Sequence, residues 1–483
     1  MRYNRILLIS PPSSSYLGAA RPPQNLGYLA ESLLANNIHY DVLDMRFGGS
    51  LKRLIRKIEW FQPDLIGISM VSLEYRKTYE MIRVIKDHYP HVGIVAGGPH
   101  VTVCRERVLE GCPSIDFGVV HEGEETLVEL CRGEHFNRIG GLIHRKPEGI
   151  VFNGNRAPQT DLDAIPFPTY QGFELDRYIK EIPINSSRGC PLQCIFCPNR
   201  MITQKFRPRS PAHVADEIEY WHRRSYRVFN FDDDNFTLSR DRVLKLCDEI
   251  KKRGLTDAEF RCSNGLRADR VDRKLLKRMK DVGFHYIAFG VDGGNDRMLR
   301  ANKKGESIEQ IERAIRTACD LGYDVKLFCI FGMPFETWDD VMDSFRLVQK
   351  YPVRRVILNN PIPYPGTELY DIIQERDAFI KSPEIYLNSV TENENEPVFE
   401  TPELNREQRK RLLKMARRIE KDVTRRAVQL IIGETGFLSR LAGSLFASSW
   451  GQRLFFQNMI FRRCMESLRH HRMMDSRVVY REG

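Results

Sequence analysis

Short apolar runs alternating with amphipathic stretches fill most of the chain and set its expected architecture. Residues 5–10, 40–44, 64–70, 92–99 and 116–120 are apolar runs of strand length, bounded by Ser, Gly, Pro or Asp. Runs that short and so bounded read as buried strands. Between them, residues 26–34 and 51–61 repeat their apolar positions at helical spacing. Largely apolar strands alternating with helices predict a parallel, doubly wound α/β sheet over residues 1–150. Ligands bind such sheets outside the carboxyl ends of the strands. The loops at those ends, 10–15, 69–72, 97–100 and 122–125, are together rich in Ser, Gly and Pro.

Residues 151–180, with Pro158, Pro166 and Pro168 and few periodic apolar positions, read as a linker. The alternation then resumes. Strands are expected at 182–184, 227–231, 259–264, 285–291, 325–331 and 355–360, and helices at 212–222, 243–252, 275–282 and 308–321. Six such repeats predict a partial (β/α)6 barrel over residues 181–400, with the polar strand ends as its catalytic rim. The pattern changes in residues 401–483. Residues 403–426 read as one long basic helix with Leu412, Leu413, Met415 and Ile419 on one side. Residues 427–461 are apolar and aromatic, but polar interruptions keep every run short of the roughly 20 apolar residues that span a bilayer.

Composition sharpens this picture in three places. A length of 483 residues implies two or three domains. Of the 11 cysteines, Cys104, Cys112, Cys131, Cys247, Cys262, Cys319, Cys329 and Cys464 stand singly, as buried thiols in a reducing compartment do. With no signal-peptide core at the start, a cytoplasmic location is expected. The formal charge of +10 lies wholly in the tail: from Thr401 onward there are 18 Lys and Arg against 8 Asp and Glu. An apolar stretch flanked by Arg417-Arg418, Arg425-Arg426 and Arg462-Arg463 suits peripheral contact with the inner face of an anionic membrane. It suits a helical cap on the barrel, or a dimer interface, equally well. Nucleic acid is disfavoured, since no module with base-stacking aromatics is found.

The stretch Ser186-Ser187-Arg188-Gly189-Cys190-Pro191-Leu192-Gln193-Cys194-Ile195-Phe196-Cys197 carries the most specific chemistry. Thiolates select zinc, Cu(I) or iron–sulfur clusters. A structural zinc site closes with four protein ligands, usually in two separated pairs, and the nearest downstream histidine is His213. A [4Fe–4S] cluster on three cysteines leaves one iron open for an exogenous ligand. A zinc loop, or three unrelated buried thiols, is the plain alternative.

With Phe196 just before the last cysteine, this loop resembles that of the radical S-adenosylmethionine (SAM) superfamily. The resemblance implies that Cys190, Cys194 and Cys197 hold a [4Fe–4S] cluster. Its open iron would chelate SAM, which an electron from the cluster cleaves to a 5′-deoxyadenosyl radical. The first part has Pro11-Pro12, a Pro23-x-x-Leu26-Gly27 helix start, Gly97-Gly98-Pro99-His100 and Glu122-Gly123-Glu124 in that order. It is similar to the cobalamin-binding domains fused upstream of radical SAM barrels. That implies a corrin over Ser69, Gly97 and Gly98. No D-x-H-x-x-G loop is present, so a cobalamin without histidine on cobalt is implied.

Further roles follow by position. Asn230, Asp232 and Asp233 would meet the methionyl amine of SAM, an ammonium that carboxylates favour. Asp292, in Phe289-Gly290-Val291-Asp292-Gly293, stands where the family shows F-G-x-E-S and would meet the ribose or carboxylate. Gly332 and Pro334, in Gly332-Met333-Pro334-Phe335-Glu336-Thr337, match G-x-P-x-E-T beside the adenine, and Pro363-Tyr364-Pro365-Gly366-Thr367 matches P-x-P-G-T. Each has a plain reading too: a helix cap for residues 232–234, tight turns for the glycines, a surface loop for His100. The implied activity is C-methylation of an unactivated carbon in a small-molecule or lipid substrate, with an external electron donor. No catalytic side chain is assigned. The alternative on the same architecture is a ring-forming or oxidative cyclase. A tRNA methylthiotransferase would need three more cluster cysteines upstream, and Cys104, Cys112 and Cys131 are too closely spaced.

Overall fold

The structure is a computed structural model that describes residues 2–432 apart from 14–19, 48, 204, 390–392 and 394. Its first layer is a seven-stranded sheet. The strands are β1 (Arg5–Ser10), β2 (His39–Asp44), β3 (Leu65–Ser69), β4 (Gly93–Gly97), β5 (Phe117–Val119), β6 (Leu142–Lys146) and β7 (Gly149–Phe152), in spatial order β2-β1-β3-β4-β5-β6-β7. Pairs among β1 to β5 are parallel, as the apolar runs predict. Helices cover both faces, so Leu7, Ile9, Ile66 and Ile68 bury into one core, and Ile6, Leu8, Leu65 and Val95 into another.

The sheet does not end at β5. The hairpin β6–β7 adds two antiparallel strands and carries the sheet to Phe152. Only Leu142 and Ile143 open β6 before His144-Arg145-Lys146, so no apolar run marks it. Pairing with β5 forms the strand in place of local hydrophobicity, and His144 is buried by it.

The second sheet is all parallel, in the order β15-β14-β13-β12-β11-β8. It is built from β8 (Ile182–Ile184), β11 (Val228–Phe231), β12 (Glu259–Leu266), β13 (Phe284–Gly290), β14 (Asp324–Ile330) and β15 (Arg355–Asn359). A two-stranded ribbon, β9 (Ser187–Arg188) with β10 (Arg207–Pro208), stands beside the first strand. Along β13 to β15 the outer face carries Ile287, Phe289, Val325, Leu327, Cys329, Val356 and Leu358, all buried against the surrounding helices. The opposite, concave face is different, as described below.

The helix Arg406–Ile432 lies over β15. Leu412, Leu413, Ala416, Ile419 and Val423 enter the barrel core. The edge strand is also hydrogen-bonded by this helix: Leu358 N donates to Glu420 Oε1 at 2.7 Å. An open sheet edge is a liability unless it is covered, and this part of the tail covers it. The apolar positions from Phe437 to Phe461, with Arg462-Arg463, lie outside the described residues. No helix among the described residues is long and apolar enough to cross a membrane.

Candidate cofactor cleft and cysteine loop

The cysteine loop is held from several sides, and its own sequence explains how. It leaves β9 at Gly189, whose φ of 89° and collision course with the Lys205 carbonyl admit only glycine. Asp234 then takes Gly189 N at 3.0 Å and Asn199 Nδ2 at 2.7 Å, bracketing the three cysteines. Asp233, fully enclosed, accepts from Ser186 Oγ at 2.9 Å and from Ser187 Oγ. Arg242 Nη1 donates to Ser186 Oγ at 2.7 Å from behind. Midway, Ile195 N donates to Asn302 O at 3.2 Å and Ile195 O accepts from Leu369 N at 2.9 Å, while its side chain packs with Met298 and Met333.

Cys190, Cys194 and Cys197 are unpaired and half-buried on this loop. Burial raises the Cys194 thiol pKa, and Lys304 and Arg267 act on it in the opposite sense. Burial also raises Cys197, to about 11. Among the described residues no three His, Cys, Asp or Glu side chains gather closely enough for a single metal ion. A cube takes each thiolate on a different iron, so its ligands stand farther apart than those of one ion. Three thiols on one short loop are the donor set of a cluster that leaves its fourth iron open. The cations Lys304 and Arg267 act on Cys194, and binding to iron would deprotonate the thiols.

Between the carboxyl edge of the first sheet and the barrel rim lies a cleft of about 1010 Å³. Its walls include Ser10, Ser69, Gly97, Gly98 and Gly123 from one side, and Ser187, Arg188, Pro198, Asp232 and Tyr364 from the other. At the strand ends of the first wall, Ser10, Ser69, Gly97 and Gly98 carry little or no side chain, with Leu8, Leu29 and Val95 around them. Gly98 has φ of 98°, and a Cβ there would stand 2.8 Å from Met70 O. Ser69 Oγ accepts from Asn25 Nδ2 at 2.6 Å. Such a floor lets a broad flat group approach the backbone, and the volume is that of a large cofactor. His100 is not on this wall: it is buried in the helix Pro99–Cys104 and stacked on Tyr75 at 4.7 Å. Burial lowers its pKa to about 4.

Ion pairs lock the two walls together. Arg188 pairs with Glu124 at 2.7 Å and Glu122 at 3.3 Å, and Arg207 also holds Glu122. Arg21 reaches from the first part to Asp232 at 2.9 Å and Glu181 at 3.5 Å.

The expected SAM-contact positions separate in the structure. Asn230 is wholly buried, its Nδ2 on Asp232, while its Oδ1 has no donor among the described residues. That acceptor suits an ammonium. Asp232 is engaged by Arg21 yet lines the cleft. Asp233 commits both carboxylate oxygens to the loop, away from the open rim. Asp292 sits at φ of 50° with its carboxylate 2.7 Å from Lys304 Nζ. Gly332 has φ of 80°, and its carbonyl accepts from Arg409 Nη1 at 2.7 Å. Glu336 takes Gly332 N and, at 2.8 Å, Met333 N. Pro334 follows in the same turn.

Four residues that sequence reasoning left unassigned complete the rim: Arg21, Lys304, Glu336 and Arg409. Lys304 stands in the run Asn302-Lys303-Lys304-Gly305, which reads as a solvated turn. Arg409 stands among eighteen basic tail residues with no mark of its own.

Family models match this chain in two places: the B12-binding domain at residues 17–131 and the radical SAM superfamily at residues 184–348. The chain is 30% identical over 387 residues to an uncharacterized methyltransferase of Pyrococcus horikoshii, covering 77% of this chain and 83% of that protein. It is 26% identical to an anaerobic magnesium-protoporphyrin IX monomethyl ester cyclase of Rubrivivax gelatinosus, covering 77% and 70%. Among solved structures, the cobalamin-dependent SAM radical enzyme OxsB with aqua-cobalamin and SAM bound matches with TM-score 0.70 at 16% identity. The match covers 99% of this chain and 82% of that one. The radical SAM methyltransferase TsrM of Kitasatospora setae matches with TM-score 0.68 at 20% identity, covering 78% and 77%.

Proposed function

Because the chain belongs to the cobalamin-binding radical SAM enzymes, we propose that it is a C-methyltransferase acting on an unactivated carbon. One observation carries the reading: Ser187, Arg188 and Pro198, which flank the three cysteines, line the same cleft as Ser69, Gly97 and Gly98. When bound, the [4Fe–4S] cluster supplies the electron that cleaves SAM, and cobalamin carries the methyl group. The protein's own contribution is position and charge. Cys190, Cys194 and Cys197 hold the cluster; Asp233 and Asp234 hold their loop, and Asp292 orients Lys304 at the rim. Asn230 and Asp232 receive the methionyl amine. The Gly332-Met333-Pro334 turn, fixed by Glu336 and Arg409, supports the nucleoside. Ser69, Gly97 and Gly98 seat the corrin.

The test is product analysis after turnover with methyl-labelled SAM. Label in the product supports methyl transfer; a ring closure or oxidation without label supports the second reading, a cyclase, which the Rubrivivax relative favours.

The domain limits that accompany this reading are residues 1–150, 151–180, 181–400 and 401–483. We extend the reading to the tail. In the helix Arg406–Ile432 the exposed positions Arg411, Lys414, Arg418, Lys421 and Arg425 form one cationic stripe opposite the face packed on the barrel. Such a stripe suits an anionic membrane surface, which would bring a lipid substrate within reach. Full-length protein that ignores vesicles rich in phosphatidylserine would end this extension.

A further inference from the structure

The concave face of the barrel is charged where closed barrels are filled with branched aliphatic side chains. Strand register fixes which residues share it. Arg261 pairs with Tyr286, Tyr286 with Asp324, and Lys326 with Arg355, so all five project from one face. Their neighbours Cys262, Ile287, Val325 and Val356 take the other face and are buried. Arg21 joins this side through Asp232 and Glu181.

Two of these cations, Arg21 and Arg261, are matched. Arg261 is paired with Glu259 at 2.6 Å and with Glu181; Arg354 takes Asp324. Lys326 and Arg355 are not: neither has a carboxylate partner among the described residues, and the charges acting on Lys326 are Arg355 and Arg21. Lys326 Nζ rests over the Phe328 ring, 3.9 Å from its centroid. Partial burial beside like charge brings the lysine down to about 8. The Tyr286 hydroxyl stands near Arg355 and Arg261 as a further donor. Donors without carboxylate acceptors, Lys326 partly buried and Arg355 exposed at the start of β15, stand side by side on one face and can receive negative charge.

We propose that Lys326 and Arg355, with Tyr286 beside them, form a subsite for an oxyanion of the substrate, carboxylate or phosphoryl. This rests on the reading of the barrel as the catalytic chamber. It narrows the substrate to an anionic molecule whose charged end lies on β14 and β15, with its reacting carbon toward the cleft. Arg21, at the mouth, adds positive potential along the way in.

The experiment uses the full-length, anaerobically reconstituted protein. Inorganic phosphate and acetate are titrated separately by calorimetry, and Lys326 is footprinted with acetic anhydride and peptide mass mapping. One or both anions should bind and shield Lys326; phosphate alone assigns a phosphoryl group, acetate alone a carboxylate. Loss of either cation, in Lys326→Met or Arg355→Met, should weaken binding about tenfold or more. Lys326→Arg should retain it. If neither anion shields Lys326, the proposal fails. It fails too if SAM alone shields it, since the occupant is then the SAM carboxylate. Iron content and reductive formation of 5′-deoxyadenosine, measured on the same preparation, report separately on the enzyme class.

Discussion

On the proposed assignment, the two walls of the cleft would hold their ligands by opposite means. The first-sheet wall works by omission: Gly97, Gly98, Gly123, Ser10 and Ser69 leave backbone where side chains would stand. The barrel wall works by commitment. Asp233, Asp234, Asp292, Glu336 and Arg409 each spend their hydrogen bonds on a particular loop atom. Omission would seat a large planar group whose own surface supplies the contacts. Commitment would fix a small cluster and a flexible nucleoside within the tolerances that electron transfer and radical chemistry need. Damage to the first wall should therefore remove one cofactor cleanly, whereas damage to the second should loosen several functions together.

That contrast can be broken at points of decreasing force. Replacing any one of Cys190, Cys194 or Cys197 by Ala should abolish reductive SAM cleavage, with iron content collapsing while the fold's melting transition remains. Gly98→Val should nearly eliminate cobalamin binding, since its Cβ already meets Met70 O at 2.8 Å. Iron content and 5′-deoxyadenosine formation should survive in that variant, and their joint loss would show that the walls are not separable. Asp234→Ala leaves Gly189 N and Asn199 without their acceptor. A lost charge-assisted bond of this kind costs roughly 1.5–3 kcal/mol, so cluster retention on gel filtration should fall about tenfold.

The smallest expected effect is a pH profile. Burial raises Glu336 to about 7 from an ordinary carboxylate value of 4.5. Between those values the folded state holds a proton that the unfolded state has released. Stability from this group is therefore complete below about pH 4.5 and is lost as pH rises through about 7. In Glu336→Gln the thermal melting profile should be flatter across that window than in wild type. An unchanged slope would show that Arg409 keeps the carboxylate ionised throughout.

Much of this was legible in the sequence, for reasons that particular residues make plain. Strands β1 to β5 and the six barrel strands announce themselves as apolar runs, because each is buried on at least one face. The hairpin β6–β7 does not, because Arg145 and Lys146 are polar and its pairing partner makes the strand. Site position was legible and site orientation was not. Asp232, Asp233 and Asp234 are three consecutive carboxylates in sequence, yet Asp232 and Asp234 line the cleft while Asp233 is enclosed, and Asp233 and Asp234 both hold the segment that carries the cysteines. The concave charged face was hidden for a related reason. Lys326 and Arg355 lie 29 positions apart, and only strand register brings them side by side. Arg409 became visible once the tail helix was seen to lie on the barrel with its guanidinium at Gly332.

The central claim is that one cleft serves both cofactors. The direct measurement is anaerobic reconstitution of the full-length protein with iron, sulfide and hydroxocobalamin, followed by metal analysis, visible spectra and reductive SAM cleavage. The account predicts about four irons and one corrin per chain, with 5′-deoxyadenosine formed on reduction. Zinc in place of iron, or a cluster-loaded protein that takes up no corrin, would contradict it.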